Sequence, residues 1–408
     1  MIKKIKDNLK YIKLRDIFSI LIFILLLIPS QILRLYYILA KKRVWLICDR
    51  KDTANDNGFH FFKYIKKNHK EILSYYVIDK KCYQYKNVSR YESVIQWGSI
   101  KHWLLYLSCE KNISSQKNGN PSAPLFYILH TKLNLFNNRV FLQHGVIKDD
   151  LKWLYYSETK FNLFVCSVKN EYEYVKEKYG YPNGSIVYTG LARFDNLHNN
   201  IINNKQILIM PTWRNWLGRE LNSLENKIDF EKTSYFIYWN NIINNVEFNN
   251  YLKENNITAV FYPHYGMHKY INCFNIKSNN NIRIADVQKE DIQTLLKESA
   301  LLITDYSSVY MDFAYMKKPI IYFQFDQEEY RKKQYEEGYF NYNKNGFGDV
   351  LTKESDVINK IKYYVKNGYK VEKKYMDKMS TFFEINDKNN CSRIYNAIME
   401  DKKWNYYF

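Results

Sequence analysis

One loop of the sequence places a histidine where it could take part in proton transfer. In FLQHGVIKDD, His144 directly follows an apolar run that predicts a strand, and Gly145 would let the backbone turn tightly or approach a ligand. Histidine titrates near neutrality, so His144 could remove a proton from an attacking hydroxyl. Lys148 could counter the charge of a phosphate. A turn with a surface histidine is the alternative for a single His-Gly pair.

A second loop, LIMPTWRNW, follows another predicted strand and carries an arginine between two tryptophans. The planar fork of Arg214 suits bidentate contact with a phosphate, although an ordinary surface ion pair is an equal alternative. The ring of Trp213 could stack on a base or pack in the core. The loop is therefore a candidate phosphate site.

A third loop, VFYPHYGMHKY, contains two histidines, of which His264 comes directly after a strand. His264 and His268 are four residues apart, which on a helix could bind a metal. No carboxylate lies between them, and Gly266 argues against a helix there. We therefore expect His264 to donate to a phosphate, and we assign no metal ligand.

The fourth loop gives the strongest signal, LLITDYSSVYMDFAYMKKPIIYF. A predicted strand ends at Thr304, and Ser307 and Ser308 open a helix, where a serine can simply cap the helix. The start of a helix at a strand's carboxyl end also forms an anion site. Asp312, one turn into the helix, is available for a donor hydroxyl or a structural contact. Ser307 and Ser308 are therefore the candidate phosphate-binding residues of this loop.

The elements that carry these loops alternate between short apolar runs and amphipathic stretches. Such a βαβα rhythm predicts parallel sheets covered by helices. A polar stretch at 197–205 reads as a linker, after which the rhythm starts again. We therefore predict an α/β protein with two Rossmann-like domains facing across a cleft, whose ligands lie beyond the carboxyl ends of the strands. The predicted segments are a membrane-associating stretch at 1–43, an N-terminal Rossmann-like domain at 44–200 and a C-terminal Rossmann-like domain with terminal helices at 201–408.

The net charge and the cysteine pattern indicate the class of molecule that the protein binds and the compartment in which it lies. With 61 basic and 42 acidic residues, the formal charge of +19 points to an anionic partner such as nucleic acid, acidic lipid or a phosphorylated substrate. The six cysteines form no C-x-x-C pair, which favours a reducing compartment over a disulfide framework. No nucleic-acid-binding motif is present and the basic residues are dispersed, so nucleic acid is the weakest of the three candidates.

The N-terminal region predicts membrane association. Ile17–Ile28 are twelve almost wholly apolar residues, and basic residues flank the apolar region on both sides. A span needs about 20 apolar residues, and positive residues prefer the cytoplasmic side. A helix–Pro29–helix hairpin inserted in an anionic inner leaflet would keep both basic flanks on the cytoplasmic side. Each basic residue near the anionic lipid would contribute about 1 kcal/mol of binding free energy. A true span and a buried core helix remain the alternatives.

Several stretches, in order along the chain, resemble the CDP-glycerol glycerophosphotransferase family of teichoic-acid and capsule synthesis. They are WLICDRKDTANDNGFHFF, LQHGVIKDD, CSVKNEYEYV, TGLARFDNL, MPTWRNW, YPHYGMHK, the fourth loop extended to FQFDQEEY, and GYFNYNKNGFGDV. The resemblance implies a glycosyltransferase-B type of fold, a membrane-associated enzyme and a CDP-polyol donor in the second domain. The Asn-rich stretch before His144 matches poorly.

By position, His144 matches the family's first-domain histidine, a candidate base, and His264 matches the second-domain histidine near the transferring phosphate. The resemblance also implies a donor- and phosphate-binding segment that comprises Thr304, Asp305, Ser307, Ser308 and Asp312. Arg214 lies where a donor-pocket arginine is expected. The expected reaction moves a polyol phosphate, most simply glycerol phosphate, to a hydroxyl of a cell-surface polymer or lipid-linked saccharide precursor, releasing CMP. Gly145 and Lys148 would lie on the acceptor side. No cofactor is indicated, and a divalent-cation requirement stays open. A nucleotide-sugar glycosyltransferase of the same fold is the main alternative.

Overall fold

A computed structural model describes residues 14–198, 201–217, 230–274, 276, 281–286 and 289–401. The first unit, residues 44–198, is built on a seven-stranded parallel sheet ordered β3-β2-β1-β4-β5-β7-β8. Its strands are largely buried, as expected of a parallel sheet covered on both faces. They are β1 (Val44–Cys48), β2 (Leu73–Ile78), β3 (Val94–Gln96), β4 (Lys111–Ser114), β5 (Arg139–Phe141), β7 (Leu163–Cys166) and β8 (Ile186–Tyr188).

The second unit, which starts at residue 201, has a six-stranded parallel sheet ordered β11-β10-β9-β12-β13-β15. Counted within each sheet, both orders begin 3-2-1-4-5-6, the Rossmann arrangement. The predicted pair of Rossmann-like units is confirmed; the exact domain boundaries remain a prediction. The strands are β9 (Asn203–Met210), β10 (Thr258–Phe261), β11 (Ile282–Ile284), β12 (Ser299–Thr304), β13 (Ile320–Phe323) and β15 (Gly348–Leu351).

Helices connect and cover these strands. The N-terminal helix α1 (Leu14–Leu39) precedes the first unit, whose helices are α2 (Asn57–Asn68), α3 (Ile100–Ser108), α4 (Ala123–Tyr127), α5 (Tyr156–Thr159) and α6 (Lys169–Lys178). Those that follow are α7 (Ser234–Asn244), α8 (Val246–Glu254), α9 (Ile292–Glu298), α10 (Val309–Tyr315), α11 (Gln327–Lys333), α12 (Tyr342–Asn345), α13 (Glu354–Lys366), α14 (Lys373–Phe382) and α15 (Asn390–Glu400).

The two units are joined by more than the chain between them. β6 (Asp149–Asp150) of the first unit pairs antiparallel with β14 (Glu336–Glu337) of the second. The last helix, α15, returns to pack on α2 and on the turn Ala192–Asn196 of the first unit. The rings of Phe194 and Tyr315 stack across the junction, 4.2 Å apart. These contacts fix one unit against the other and so define the cleft between them.

The N-terminal helix corrects the hairpin prediction, because α1 runs unbroken through Pro29. A proline inside a helix removes one backbone hydrogen bond. In the same turn of α1, the hydroxyl of the buried Ser30 donates to the Leu27 carbonyl. One stripe of α1, including Phe23 and Leu26, packs on the apolar cluster around α3. The opposite stripe is apolar and exposed, with Leu25 73% exposed. The helix is therefore neither a hairpin nor a buried core helix.

Candidate functional site

His144 lies in the loop that follows β5, where the sequence placed it. Glu171 of α6 holds this loop in place. Its fully buried carboxylate accepts hydrogen bonds from Gln143 Nε2, Ile147 N and Ser167 N. Gln143 has a φ of 63°, which turns the chain sharply just before the histidine. The side chain of His144 is 59% exposed and lines the cleft.

His144 is oriented by a carboxylate. Asp56 caps the start of α2. Its Oδ2 atom lies 2.5 Å from Nδ1 of His144. Burial would raise the pKa of Asp56, but His144, Arg193 and the Asn57 amide outweigh it and lower that pKa to about 2. The carboxylate is thus ionised and holds the Nδ1 proton, which leaves Nε2 as the basic atom. No described residue hydrogen-bonds to Nε2.

Arg193 ties this pair to the second unit. Its Nη1 donates to Asp56 Oδ1 at 3.0 Å, while Nε and Nη2 donate to the two oxygens of Asp312 at 2.7 and 2.8 Å. Nη1 also donates to the His144 carbonyl. Burial opposes the charge on Arg193, but the two carboxylates prevail and raise the pKa of its guanidinium. A continuous series of hydrogen bonds therefore runs from His144 through Asp56 and Arg193 to α10 of the second unit.

The cleft at this point forms an open cavity between the units. His144 and Arg50 line it from the first unit and Ser308 and Asp312 from the second. A Cβ added to Gly145 would lie 3.0 Å from Ser308 Oγ, so the glycine lets the two loops approach closely. The structure therefore brings together four of the predicted residues, which are His144, Gly145, Ser308 and Asp312.

The fourth loop divides into structural residues and residues that face the cleft. Thr304 is fully buried and its hydroxyl donates to the Met210 carbonyl, linking β12 to β9. Asp312 makes a structural contact, because each of its two oxygens accepts a hydrogen bond from Arg193. Ser308 precedes α10 without capping it by its side chain. Its hydroxyl is therefore open to a ligand. Ser307 and Ser308 are both half-buried, but Ser308 lines this cavity and Ser307 does not.

Arg214 corrects another prediction, since its guanidinium is fully buried. It donates to both oxygens of Asp326, at 2.8 and 3.0 Å, and to Asp305 Oδ2 at 2.8 Å. Asp305 is equally buried and also accepts from the Thr212 amide. Because both side chains are committed to this internal network, neither is placed to hold a phosphate. Trp213 packs in the core, stacked on Tyr270.

Two further predicted residues lie away from the cavity. His264 follows β10, is exposed, and accepts a hydrogen bond from the Gly266 amide at 3.1 Å. Lys148 is buried in an ion pair with Asp149, which also binds Arg331 at the junction of the units. The predicted acceptor-side role of Lys148 is therefore not supported. In the described ranges no group of three or more His, Cys, Asp or Glu residues is arranged to hold a metal.

Sequence reasoning did not single out Asp56, Asn57, Arg193 or Glu171. Asn57 Nδ2 donates to the Gln143 carbonyl and Asn57 Oδ1 accepts from the Arg193 amide, so it fastens the two loops together. All four residues lie inside stretches that resemble the family, ANDNG, CSVKNEY and TGLARFDN. Their position inside these stretches was the available signal.

The comparisons with known proteins agree with this architecture. The family model for CDP-glycerol:poly(glycerophosphate) glycerophosphotransferase matches residues 30–400. The chain is 35% identical over 381 residues to the minor teichoic acid biosynthesis protein GgaB of Bacillus subtilis strain 168, covering 92% of this chain and 41% of that protein. The teichoic acid poly(glycerol phosphate) polymerase of the same organism is 32% identical over 111 residues, 27% of this chain and 15% of that protein. The chain thus spans less than half the length of these relatives.

Solved structures share the fold. The wall teichoic acid polymerase TagF superposes with a TM-score of 0.64 at 16% identity, covering 92% of this chain and 97% of the other. UDP-GlcNAc 2-epimerase from Neisseria meningitidis gives a TM-score of 0.52 at 12% identity, covering 88% of this chain and all of the other. The family assignment rests on the match over nearly the whole chain rather than on these likenesses. The chain belongs to the CDP-glycerol:poly(glycerophosphate) glycerophosphotransferase family.

Proposed function

We propose that the chain transfers a polyol phosphate, most simply glycerol phosphate, from a CDP-polyol to a hydroxyl of a cell-surface polymer or its lipid-linked precursor. The observation that carries this proposal is the Asp56–His144 pair, which faces Ser308 of the second unit across the cleft. Membership of the family supplies the donor class. One structure of TagF was determined with CDPG, in a histidine variant.

In this reaction the acceptor hydroxyl attacks the β-phosphorus of the donor. A new P–O bond forms to the acceptor, the bond to the bridging oxygen breaks, and CMP leaves with that oxygen. His144 Nε2 takes the hydroxyl proton, and the ionised Asp56 stabilises the imidazolium that results. Phosphoryl transfer depends mainly on positioning and on neutralising charge. The exposed Arg50, at the cavity wall, is suited to the second task.

On the donor side, Ser308, which lines the cavity, would contact the pyrophosphate from the start of α10. His264 would assist from the carboxyl end of β10, the neighbouring part of the same sheet edge, where ligands of open α/β sheets bind. Arg214, Thr304 and Asp305 would hold that edge rigid instead of touching the donor. The second unit is thus the donor side and the first unit the acceptor side.

The test of the function is release of CMP. The purified full chain is incubated in lipid with CDP-glycerol, CDP-ribitol and a UDP-sugar, each with and without an acceptor polymer. Acceptor-dependent release of CMP from a CDP-polyol supports the proposal, and the polyol that reacts best is identified at the same time. Turnover of the UDP-sugar alone would instead identify a glycosyltransferase of the same fold.

Replacing Ser308 with alanine should raise the KM for the CDP-polyol about tenfold, the loss expected for one hydrogen bond to a charged group. The melting temperature should barely change, because the Ser308 side chain does not cap α10. Ser99→Ala is the matched control: Ser99 does cap its helix, accepting from the His102 amide, so this variant loses about 1 kcal/mol of stability. An unchanged donor KM in Ser308→Ala would assign this serine to the fold.

The N-terminal helix would place the cleft at a membrane. Ile17–Leu39 is long and apolar enough to span one. However, one stripe of α1 packs along the first unit while the other exposes apolar side chains. A helix fastened to a folded domain along its length fits a position within one leaflet better than a crossing. Monotopic association with the anionic cytoplasmic leaflet follows.

Two glutamates on the exposed apolar stripe of α1 should release the protein from membranes. Leu25 and Ile28 are 73% and 71% exposed, so replacing both with glutamate removes their burial in lipid without disturbing the packed stripe. We expect the variant in the soluble fraction after flotation on anionic vesicles, with the fold retained by circular dichroism. Val246→Glu, at a residue 71% exposed on α8, should stay with the vesicles. Continued flotation of the double variant would contradict this placement of α1.

A further inference from the structure

Three neighbouring strands of the first sheet end in polar side chains that form a row along the cleft. β4 lies between β1 and β5, and the last residues of the three strands are paired with one another in the parallel register. Arg50 and Gln116 come two residues after the ends of β1 and β4, and His144 comes three residues after the end of β5. All three line the cavity between the units. In the order of the strands, Gln116 therefore lies between Arg50 and the candidate base.

The backbone at Gln116 is fixed by the fold. The Gln116 backbone N–H donates to Ser114 Oγ at 2.9 Å, and the Ser115 hydroxyl donates to Asp49 Oδ1 at 2.7 Å. Asp49 is fully buried and also accepts a hydrogen bond from the Gly58 amide of α2 at 2.8 Å. The loop after β4 is thus tied to the loop after β1, and the Gln116 side chain is positioned before a ligand binds.

The side-chain amide of Gln116 is not used by the fold. Gln116 is half-buried, yet its amide group makes no hydrogen bond within the part of the chain that the structure describes. Other glutamines just beyond strands are bonded internally: Gln143 donates to Glu171 at 3.1 Å, and Gln324 donates to the Asp305 carbonyl at 3.0 Å. An amide at the wall of the reaction cavity that has no partner in the fold is available to a substrate.

The chemistry of an amide selects a hydroxyl. Its NH2 group donates and its carbonyl accepts, which matches a hydroxyl group that also does both, whereas the guanidinium of Arg50 suits an anion. The terminal unit of a polyol or a saccharide carries hydroxyls on adjacent carbons. Adjacent strands lie about 4.8 Å apart, so one such unit can reach the loops of both β4 and β5. When one hydroxyl is at His144, the next hydroxyl is therefore beside Gln116.

We propose that Gln116 determines which hydroxyl of the acceptor reacts. Its amide binds the hydroxyl next to the attacking one, and this contact places the attacking hydroxyl at Nε2 of His144. The inference rests on the proposed function and adds the residue that fixes the linkage of the product. The recognised chemistry is a pair of neighbouring hydroxyls, in a polyol or in a saccharide.

The first test removes the amide and the neighbouring hydroxyl in turn. Full-length wild type and Gln116→Leu are assayed with the CDP-polyol that reacts best and two sets of acceptors. One set is a 1-O-alkylglycerol and its 2-deoxy counterpart; the other is an alkyl hexoside and counterparts that each lack one hydroxyl. In one set, wild type should prefer the complete acceptor about tenfold in kcat/KM, as for one hydrogen bond, and Gln116→Leu should show no preference. The set that shows the preference identifies the terminal unit.

The second test reads the linkage of the product. The product formed on the acceptor polymer that supports CMP release is analysed by two-dimensional ³¹P–¹H NMR. Wild type should give one linkage, and Gln116→Leu should give a mixture, because the attacking hydroxyl is no longer fixed. Gln96→Leu is the matched control: Gln96 is also half-buried at the end of a strand of the first sheet, but it donates to Asp79 at 3.2 Å and does not line the cavity. It should keep the single linkage, and the KM for the donor should stay constant in both variants.

A single product linkage together with an unchanged preference in Gln116→Leu would overturn the inference, and so would a raised donor KM as its only effect. If wild type releases no CMP from any CDP-polyol, the proposed function fails. Calorimetric titration with the complete and deoxy acceptors then still tests Gln116: a difference in affinity that Gln116→Leu abolishes supports its role, and equal affinities contradict it. If wild type is active and Gln116→Leu gives the same linkage and preference, only the role of Gln116 fails.

Discussion

His144→Ala is expected to lower turnover of the CDP-polyol by about 10²–10⁴-fold, the usual effect of removing a general base. Its Nε2 is the basic atom that faces the acceptor side, because Nδ1 is held by Asp56. Affinity for the donor should persist, since the donor contacts lie in the second unit. Steady-state rates of CMP release, together with equilibrium binding of CDP, measure the two effects separately.

Asp56→Asn tests the carboxylate of the Asp56–His144 pair. Asparagine keeps the size of Asp56 but loses the charge that stabilises the imidazolium, so turnover should again fall strongly. The pKa of Asp56 is lowered to about 2, so its carboxylate does not titrate in any practical assay, and an acid limb in the rate profile has another origin.

The control for His144 is His69→Ala, because His69 also contacts a carboxylate, Glu71 at 3.2 Å, but lies outside the cleft. It should keep wild-type rates. Near-normal turnover in His144→Ala would contradict the assignment, and His264 would become the candidate base.

Periodicity was sufficient to predict most of the fold. Short apolar runs between polar turns carry the βαβα rhythm from which parallel sheets were predicted, and such runs form the buried strands Val44–Cys48 and Leu163–Cys166. Helices α7 and α8, between β9 and β10, were not predicted.

Position at a strand end, by contrast, did not distinguish residues that face the cleft from those buried beneath it. Arg214 and Ser308 both follow strands of the second sheet, yet Arg214 turns inward to Asp305 and Asp326 while Ser308 faces the cavity. The direction depends on which partner lies nearby, and partners more than 90 residues away in sequence are not visible to a local pattern. For the same reason the contact between Arg193 and Asp312, 119 residues apart, could not be predicted.

Breaking that contact should have the largest effect on stability. Arg193→Met leaves Asp56 and Asp312 buried without their cation, and removing one partner of a buried ion pair costs about 3–5 kcal/mol. Chemical denaturation should show this loss, and turnover measured well below the melting temperature should also fall, because Arg193 donates to Asp56 and to the His144 carbonyl.

The matched control is Arg283→Met, which removes a second bidentate arginine–carboxylate pair, with Glu290 at 2.7 and 2.8 Å, but one that is partly exposed and lies within one unit. Such a surface pair is worth about 0–1 kcal/mol, so the free energy of unfolding should hardly change. Arg193→Lys separates charge from geometry: lysine retains the cation but cannot bind Asp56 and bidentate Asp312 together. If the lysine variant recovers stability but not turnover, Arg193 positions Asp56 and His144 through the several hydrogen bonds of its guanidinium and not through its charge alone. Equal stability of Arg193→Met and wild type would show that the cross-cleft pair does not hold the two units in this arrangement.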